Sequence, residues 1–326
     1  MKVTIAQVKE VAKKALINHG ASDWIADSVS TAVADSEANG NIICGLYYLE
    51  SYCTQLASGR VNGTVDPEIS TPKNAAVLAD AKFGFAQPAF DRGFETAIKT
   101  AQENGIASFA VAHSHTCTSV GFFTSQFARR GLICLGMTNA SSIVAPPGGN
   151  SKVLGTNPIA FSAPDNAGGL ALHFDFSTSA VALGKITMAK AAGESIPLGW
   201  AVDKDGQPTT DPNAALAGSL ASAADYKGWG LGLMVELLAA GMTGSVNSMD
   251  VAGLKLPEGA PHDLGQFYVV IDPSTYSDAF FDRLSRVAEA VASQPGARIP
   301  GQDKQASERF DVKSEIWEAC NALGNS

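Results

Sequence analysis

The sequence predicts an α/β fold with a helical N-terminal segment. From residue 76 onward, short apolar runs alternate with amphipathic stretches at helical spacing, which is how strands and helices read when they alternate along a chain. Residues 1–58 carry helical periodicity without strand-like runs. No Gly-x-Gly-x-x-Gly follows a strand and opens a helix, so the fingerprint of the common dinucleotide fold is missing.

The N-terminal segment reads as three helices. The first occupies "MKVTIAQVKEVAKKALINHG". Ser22 can cap the second, and Gly40 stops it. The third is expected from Gly45 to Ser58, with Leu46, Leu49, Tyr52 and Cys53 on one face and Gly59 at its end. "AAVLADAK" reads as a strand, and "QPAFDRGFETAIKTAQENG" as a helix with Pro88 in its first turn. "IASFAVAHS", "LICLGMTN", "LALHFDFS" and "GQFYVVIDP" read as strands. Helices are expected at "SVGFFTSQFARRG", "TSAVALGKITMAKAAG", "YKGWGLGLMVELLAAGMTG" and "YSDAFFDRLSRVAEAVAS", with a last one ending "SEIWEACNALG". A long loop with a short strand covers "APPGGNSKVLGTNPIAFSAP", and "WAVDKDGQPTTDP" is turn-rich. "RIPGQDK" closes the chain ahead of the final helix.

The bulk properties bound the function. A chain of 326 residues with net charge −9 and no Lys/Arg run is not built to track a phosphate backbone, so nucleic acid is not an expected partner. The first residues lack a signal peptide's apolar core, and no apolar run approaches the ~20 residues a bilayer span needs. Five cysteines, an odd number without a CxxC, point to a reduced cytoplasmic protein and not to a disulfide framework.

Five stretches could carry chemistry. In "HSHTC", His113, His115 and Cys117 would share one side of an extended chain, where they could bind a metal, or they diverge if the strand ends first. In "KGWGLG", glycines ahead of an apolar helix suit an anion at a helix N-terminus, or simply close helix packing. In "HFDFSTSA", Asp175 between two phenylalanines is either a desolvated functional carboxyl or a helix cap. In "GTNPIAF", Thr156 and Asn157 offer donors and acceptors at a turn. In "GNIICGLYY", Cys44 is either a small packed hydrophobe or a working thiol.

Together and in order, the segments at 146–164, 175–186, 197–212, 226–241 and 298–301 resemble the type-2 malate/L-lactate dehydrogenase family. The resemblance implies a non-Rossmann α/β fold: a mostly antiparallel central sheet with interleaved domains, assembled as a homodimer. It implies NADPH or NADH as cofactor and a small 2-oxo acid, 2-hydroxy acid or cyclic ketimine such as Δ1-pyrroline-2-carboxylate as substrate. The expected domains are helical (1–70 plus 296–326), substrate and dimer (71–115 plus 245–295) and dinucleotide-binding (116–244). Ser177, Thr178 and Ser179 would face cofactor phosphates and ribose, with further contacts from Lys227, Gly228, Arg298, Pro300 and Gly301. Thr156, Asn157 and Pro158 would lie near the nicotinamide, and Asp175 would touch both cofactor and catalytic group.

The departures from the family pattern are informative. Where relatives carry Ser-His-Gly-x-x-Arg, this chain has Ile43, Cys44 and Gly45, with Tyr48 at the arginine. A second family position, His-Phe-Gly, falls on Thr116, Cys117 and Thr118, one residue after His115. Candidates for the proton are therefore Cys44, Tyr48, His115 and Asp175, with Thr116, Thr156 and Asn157 near the substrate. Arg60, Lys190 or a backbone nest would have to hold a substrate carboxylate. The alternatives are a metal enzyme built on His113, His115 and Cys117, and a cofactor-binding member without catalysis.

Overall fold

The computed structural model describes residues 1–301 and 308–325. The chain opens with strand β1 (Lys2–Thr4), which pairs antiparallel with β11 (Arg309–Asp311) and so joins the two ends of the chain. Helix α1 (Ile5–Asn18) starts at a capping box: Thr4 Oγ1 accepts from Gln7 N at 3.2 Å, and Gln7 Oε1 accepts from Thr4 N at 2.9 Å. Helix α2 (Asp23–Ala38) follows Ser22 and ends before Gly40, whose φ of 74° stops it.

The expected third helix is broken into pieces. Ile42–Cys44 and Leu46–Tyr48 are single 3-10 turns, and α3 proper is Leu49–Ala57. The cause is Glu37, whose carboxylate takes the Leu46 N–H at 2.7 Å. A Cβ on Gly45 would collide with that carboxylate, so only glycine can pass there. This contact sets Cys44 off the helix and turns it toward the sheet.

The central sheet is mixed. Its strands are β2 (Glu68–Lys73), β3 (Ala76–Asp80), β4 (Ile106–Ser114), β5 (Ile133–Thr138), β6 (Ile159–Pro164), β7 (Leu170–Phe176) and β10 (Leu264–Ile271), in the spatial order β2-β3-β4-β10-β5-β6-β7. Neighbours run antiparallel except β3 and β4. Helices α4 (Ala86–Asn104) and α5 (Val120–Ala128) pack on one face around Phe90, Phe109, Phe123, Phe127 and Tyr268. The other face carries α8 (Tyr226–Glu236) and the π turn Leu237–Gly241, with Val235 and Ala239 against Met137, Ile159 and Phe267. Strand β10 serves both layers because its side chains alternate: Phe267 faces α8 and Tyr268 faces α4. Gly265 lets the strand lie on the π turn, since a Cβ there would strike the Ala239 carbonyl.

A third cluster joins α6 (Leu183–Ala192), α7 (Pro212–Ala217) and the hairpin β8 (Ala201–Val202) and β9 (Ser219–Leu220) through Ile186, Ala215 and Leu220. Helices α9 (Phe280–Ala292) and α10 (Ser314–Leu323) complete the chain; the end of the "RIPGQDK" stretch lies outside the described residues. The helical cluster of α1, α2, α3 and α10 has a core of its own. Across the boundary expected between residues 115 and 116, β5, β6 and β7 share one sheet with β4 and β10. Among the described residues no helix is long and apolar enough to cross a membrane.

Phe90 is the hub of the aromatic layer, with ring centroids 4.8 Å from Phe123, 5.4 Å from Tyr268 and 5.5 Å from Phe109. Phe90→Ala should destabilise the fold by about 3–5 kcal/mol. Denaturant unfolding checks this as a lowered midpoint at unchanged slope.

Candidate active site

The site is built where the end of β7 meets the start of α5. Asp175 Oδ2 accepts from the Gly121 backbone N–H at 2.8 Å and from Ser119 Oγ at 3.1 Å. An acid is stable at this helix N-terminus because the first N–H groups have no partner inside the helix. A Cβ on Gly121 would press to 3.0 Å from both Asp175 Cβ and His173 Cε1, so glycine permits the approach. Ahead of α5 the chain turns through Thr118, held at φ 63°, in the left-handed region. The resemblance places a glycine at this position, where such a backbone is unstrained.

Cys44 faces this turn. Its half-buried thiol lies beside the side chains of Asn41 and Thr118 and within the field of Asp175. Burial first, and then the Asp175 charge, push its pKa up to about 12. The thiol is therefore held neutral and protonated, and it is a weak acid. Tyr48 is also buried, and its hydroxyl donates to the Leu254 carbonyl at 3.1 Å. Desolvation raises its pKa as well.

His115, also expected to handle the proton, is enclosed by Tyr52, Phe85 and Gln55. Its ring is buried, stacks on His262 at 3.8 Å, and has Nε2 2.5 Å from Gln55 Oε1. Burial and two cationic neighbours in prospect, His262 and Arg60, keep it neutral by driving its pKa well down. The HSHTC stretch diverges. His113, at φ 51°, binds Asp263 at 2.8 Å, while Cys117 is in the aromatic core. Among the described residues no group of three His, Cys, Asp or Glu could hold a metal ion, so the metal alternative has no ligand set there. Thr116 is buried with its N–H donated to His262 Nδ1 at 3.2 Å.

Below Asp175, β6 and β7 run into a second turn. Asn157 is fully buried at φ 37°, and its Nδ2 donates to Gly232 O at 3.0 Å and Glu236 Oε2 at 2.8 Å. Glu236 also accepts from Ser248 N and Oγ and from Asn247. The Thr178 hydroxyl donates to the carbonyls of Thr156 and Asn157, both at 3.1 Å, and Ser179 Oγ donates to Val181 O at 2.9 Å. These two hydroxyls therefore shape the loop and face inward. Ser177, Thr156 and Pro158 remain half-buried at its surface. Lys227 is exposed at the start of α8, and Gly228 lets the helix turn against the Ala223 carbonyl.

The C-terminal motif comes back to the same strand. Pro300 O accepts from His173 N at 3.0 Å, and Gly301 sits where a Cβ would meet the His173 backbone. Arg298 is exposed beside it. An open polar cleft of about 350 Å³ runs along Gly301, His173, Asp175, Gly121 and Ser125 to Arg129. A second cleft, also about 350 Å³, is lined by Gly148, Gly149, Gly199 and Gly206. A larger groove of about 530 Å³ between α3 and α10 involves none of the Asp175 cluster.

The comparisons with known proteins identify the family. The malate/L-lactate dehydrogenase family model covers residues 3–316. The chain belongs to that family. One relative of this malate/L-lactate dehydrogenase family member is the (2R)-3-sulfolactate dehydrogenase (NADP(+)) of Chromohalobacter salexigens, 38% identical over 94% of this chain and 92% of its own. Another is the Δ1-pyrroline-2-carboxylate/Δ1-piperideine-2-carboxylate reductase of Pseudomonas syringae, 36% identical over 94% and 90%. The solved Δ1-piperideine-2-carboxylate reductase of Pseudomonas syringae superimposes with a TM-score of 0.92 at 32% identity, covering 99% of both chains.

The sequence of this malate/L-lactate dehydrogenase family member did not single out Ser119, Gly121, Asn41 and Arg129, which line the Asp175 cleft. Ser119 did carry a signal: it precedes a helix, where a small hydroxyl residue is favoured. The others are legible only once α5 and β7 are side by side.

Iodoacetamide at neutral pH should alkylate Cys44 about a thousand-fold more slowly than a thiol of ordinary pKa, since the thiolate fraction falls tenfold per unit. Mass spectrometry of the intact enzyme reads the rate, and labelling at the free-thiol rate would contradict the neutral thiol. Acid should weaken the fold early. Burial lowers His262 from 6.5 to about 3 and lowers His115 as well, so the unfolded chain takes up their protons first as pH falls. Stability should drop from pH 6.5 down to about 3, and urea titrations across that window should show the falling midpoint.

Proposed function

We propose that this NAD(P)-dependent oxidoreductase reduces a cyclic 2-imino acid of the Δ1-pyrroline-2-carboxylate type. The carrying observation is the Cys44 thiol, pushed up to about 12 beside Asp175, where the resemblance places an acid/base histidine. A general acid works best with a pKa near the operating pH, which this thiol does not have. A cyclic iminium brings its proton with it. Its C2 takes the hydride, the C=N π pair moves to nitrogen, and a neutral secondary amine results without a proton from the protein. Asp175, fixed by Gly121 N–H and Ser119, supplies the negative charge that favours a cationic substrate. Cys44 keeps its proton and fills the wall without adding a competing positive charge.

NADPH or NADH, when bound, supplies the hydride. The residues present suit a dinucleotide. Gly301 and Gly121 let their segments pack closely against β7 beside the polar cleft, Lys227 and Arg129 offer cations, and Gly148, Gly149, Gly199 and Gly206 leave room in the second cleft. With their hydroxyls turned inward, Thr178 and Ser179 contribute backbone and shape, and Ser177 is the hydroxyl nearest the surface. The exposed Leu231, Leu237 and Met242 along α8 and its π turn support a homodimer that covers them. All five thiols are free, which suits the reduced cytoplasm.

A second reading has one observation behind it: the 38% identical relative is a sulfolactate dehydrogenase. Reduction of a 2-oxo acid makes an alkoxide that needs a proton, and Cys44 would have to give it. The two readings separate in an NADPH and NADH oxidation screen with Δ1-pyrroline-2-carboxylate, Δ1-piperideine-2-carboxylate, pyruvate and sulfopyruvate. Imine reduction should survive Cys44→Ser and Cys44→Ala within about threefold, while Asp175→Asn should lower kcat by about a hundredfold or more. Turnover of oxo acids alone, lost in both Cys44 variants, would replace this reading with the second.

A further inference from the structure

We propose that Arg60 anchors the substrate carboxylate, with the Tyr52 hydroxyl as a second donor. This rests on the reading that the substrate is a 2-imino or 2-oxo acid. Tyr48, where the resemblance places an arginine, cannot do the work: it carries no charge and its hydroxyl is committed to Leu254 O. Lys190 is exposed in the last turn of α6.

Arg60 is 1% exposed, yet among the described residues no acid pairs with it. Its Nε donates to Ala260 O at 2.9 Å, and Nη1 donates to Gly253 O at 3.0 Å and Leu256 O at 2.6 Å. Nη2 is buried and has no partner. A buried guanidinium held only by carbonyls is an uncompensated charge, and a buried donor left unmade is expensive.

Arg60 is not alone. The Tyr52 hydroxyl, His262 Nε2 and His115 Nδ1 are also buried without partners. The hydrogen-bond network assigns the tautomers. His262 Nδ1 accepts from Thr116 N, so its Nε2 carries the proton. Gln55 spends its amide N–H groups on Leu254 O and Leu256 O, so its oxygen accepts from His115 Nε2. Three of these four groups are therefore donors, and one bears a full positive charge. A surplus of donors around a guanidinium recognises an anion, and a planar carboxylate fits its free edge.

The cluster adjoins the reaction centre. Tyr52 lies 5.0 Å from Tyr48 and 5.4 Å from His115, ring to ring, and His115 stacks on His262. Tyr48 feels both the Arg60 charge and Cys44. The exposed 253–260 segment covers Arg60 and meets it only through carbonyl oxygens, so that segment must shift to admit the carboxylate.

The test compares Δ1-pyrroline-2-carboxylate with Δ1-pyrroline, which lacks the acid, using the holoenzyme. Arg60→Gln should lower the kcat/KM ratio of acid to parent imine by about 50-fold, and Arg60→Lys by less, because it keeps charge without the fork. Tyr52→Phe should raise KM for the acid severalfold more than KM for Δ1-pyrroline, a split that a merely structural role would not give. A proportional loss on both imines, or no change in the ratio, would overturn the anchor. If the Arg60 variants do not fold, Tyr52→Phe decides. A thermal-protection arm uses wild-type protein with NADP⁺: pyrrole-2-carboxylate should raise Tm and pyrrole-2-carboxamide should not. Equal protection by the two refutes the anchor. Selective protection without turnover of any imine upholds it and refutes the imine reading alone.

Discussion

One carboxylate holds the site in place. Asp175 projects from β7, an edge strand, and takes the Gly121 N–H and the Ser119 hydroxyl at the start of α5. That bond pair ties the sheet edge to the helix that packs across β5 and β6, and it sets a carboxylate at the positive end of the helix dipole. The direction of α5 then fixes the turn at residues 116–119, and that turn meets Cys44. On its other side Cys44 is placed by Glu37, which interrupts the helical run at Gly45. Two buried or half-buried acids, on different layers, thus bring a thiol and a carboxylate together.

Backbone strain is held at several turns of the fold. His113, Thr118, Asn157 and Asp263 all sit at positive φ without being glycine. Each such residue costs of order 1–3 kcal/mol and survives only where its surroundings over-determine it. Here they do. The His113 N–H is bound by Ser245 Oγ and its ring by Asp263, while Asn157 is clamped between Gly232 and Glu236. Of these, Thr118 lies in the turn that leads to Ser119 and Gly121, the two residues that hold Asp175.

Much of the element order was readable because periodicity and caps are local. "IASFAVAHS" is β4 to the residue, and α4 begins and ends where Pro88 and Gly105 indicate. The short pieces were not readable. β1 and β11 pair across nearly the whole chain, β9 is two residues long, and β2 is an exposed edge strand without an apolar face, so no local alternation marks them. The break at Gly45 was missed because Glu37 acts across a turn. In the site, Asp175 stood out from its apolar flanks, whereas His115 looked chemically promising until Gln55 and His262 enclosed it.

By itself the sequence determined the α/β class, the helical N-terminal segment and the family to which the motif order belongs. These follow from residue spacing and short-range propensity, which act within one or two turns of chain. Tertiary structure alone decided which titratable groups meet. It set β10 between β4 and β5, put Asp175 against α5, raised the Cys44 thiol to about 12 and left Arg60 buried with no acid beside it among the described residues. Desolvation and charge fields act through space between segments remote in the chain, and no window of sequence contains both partners.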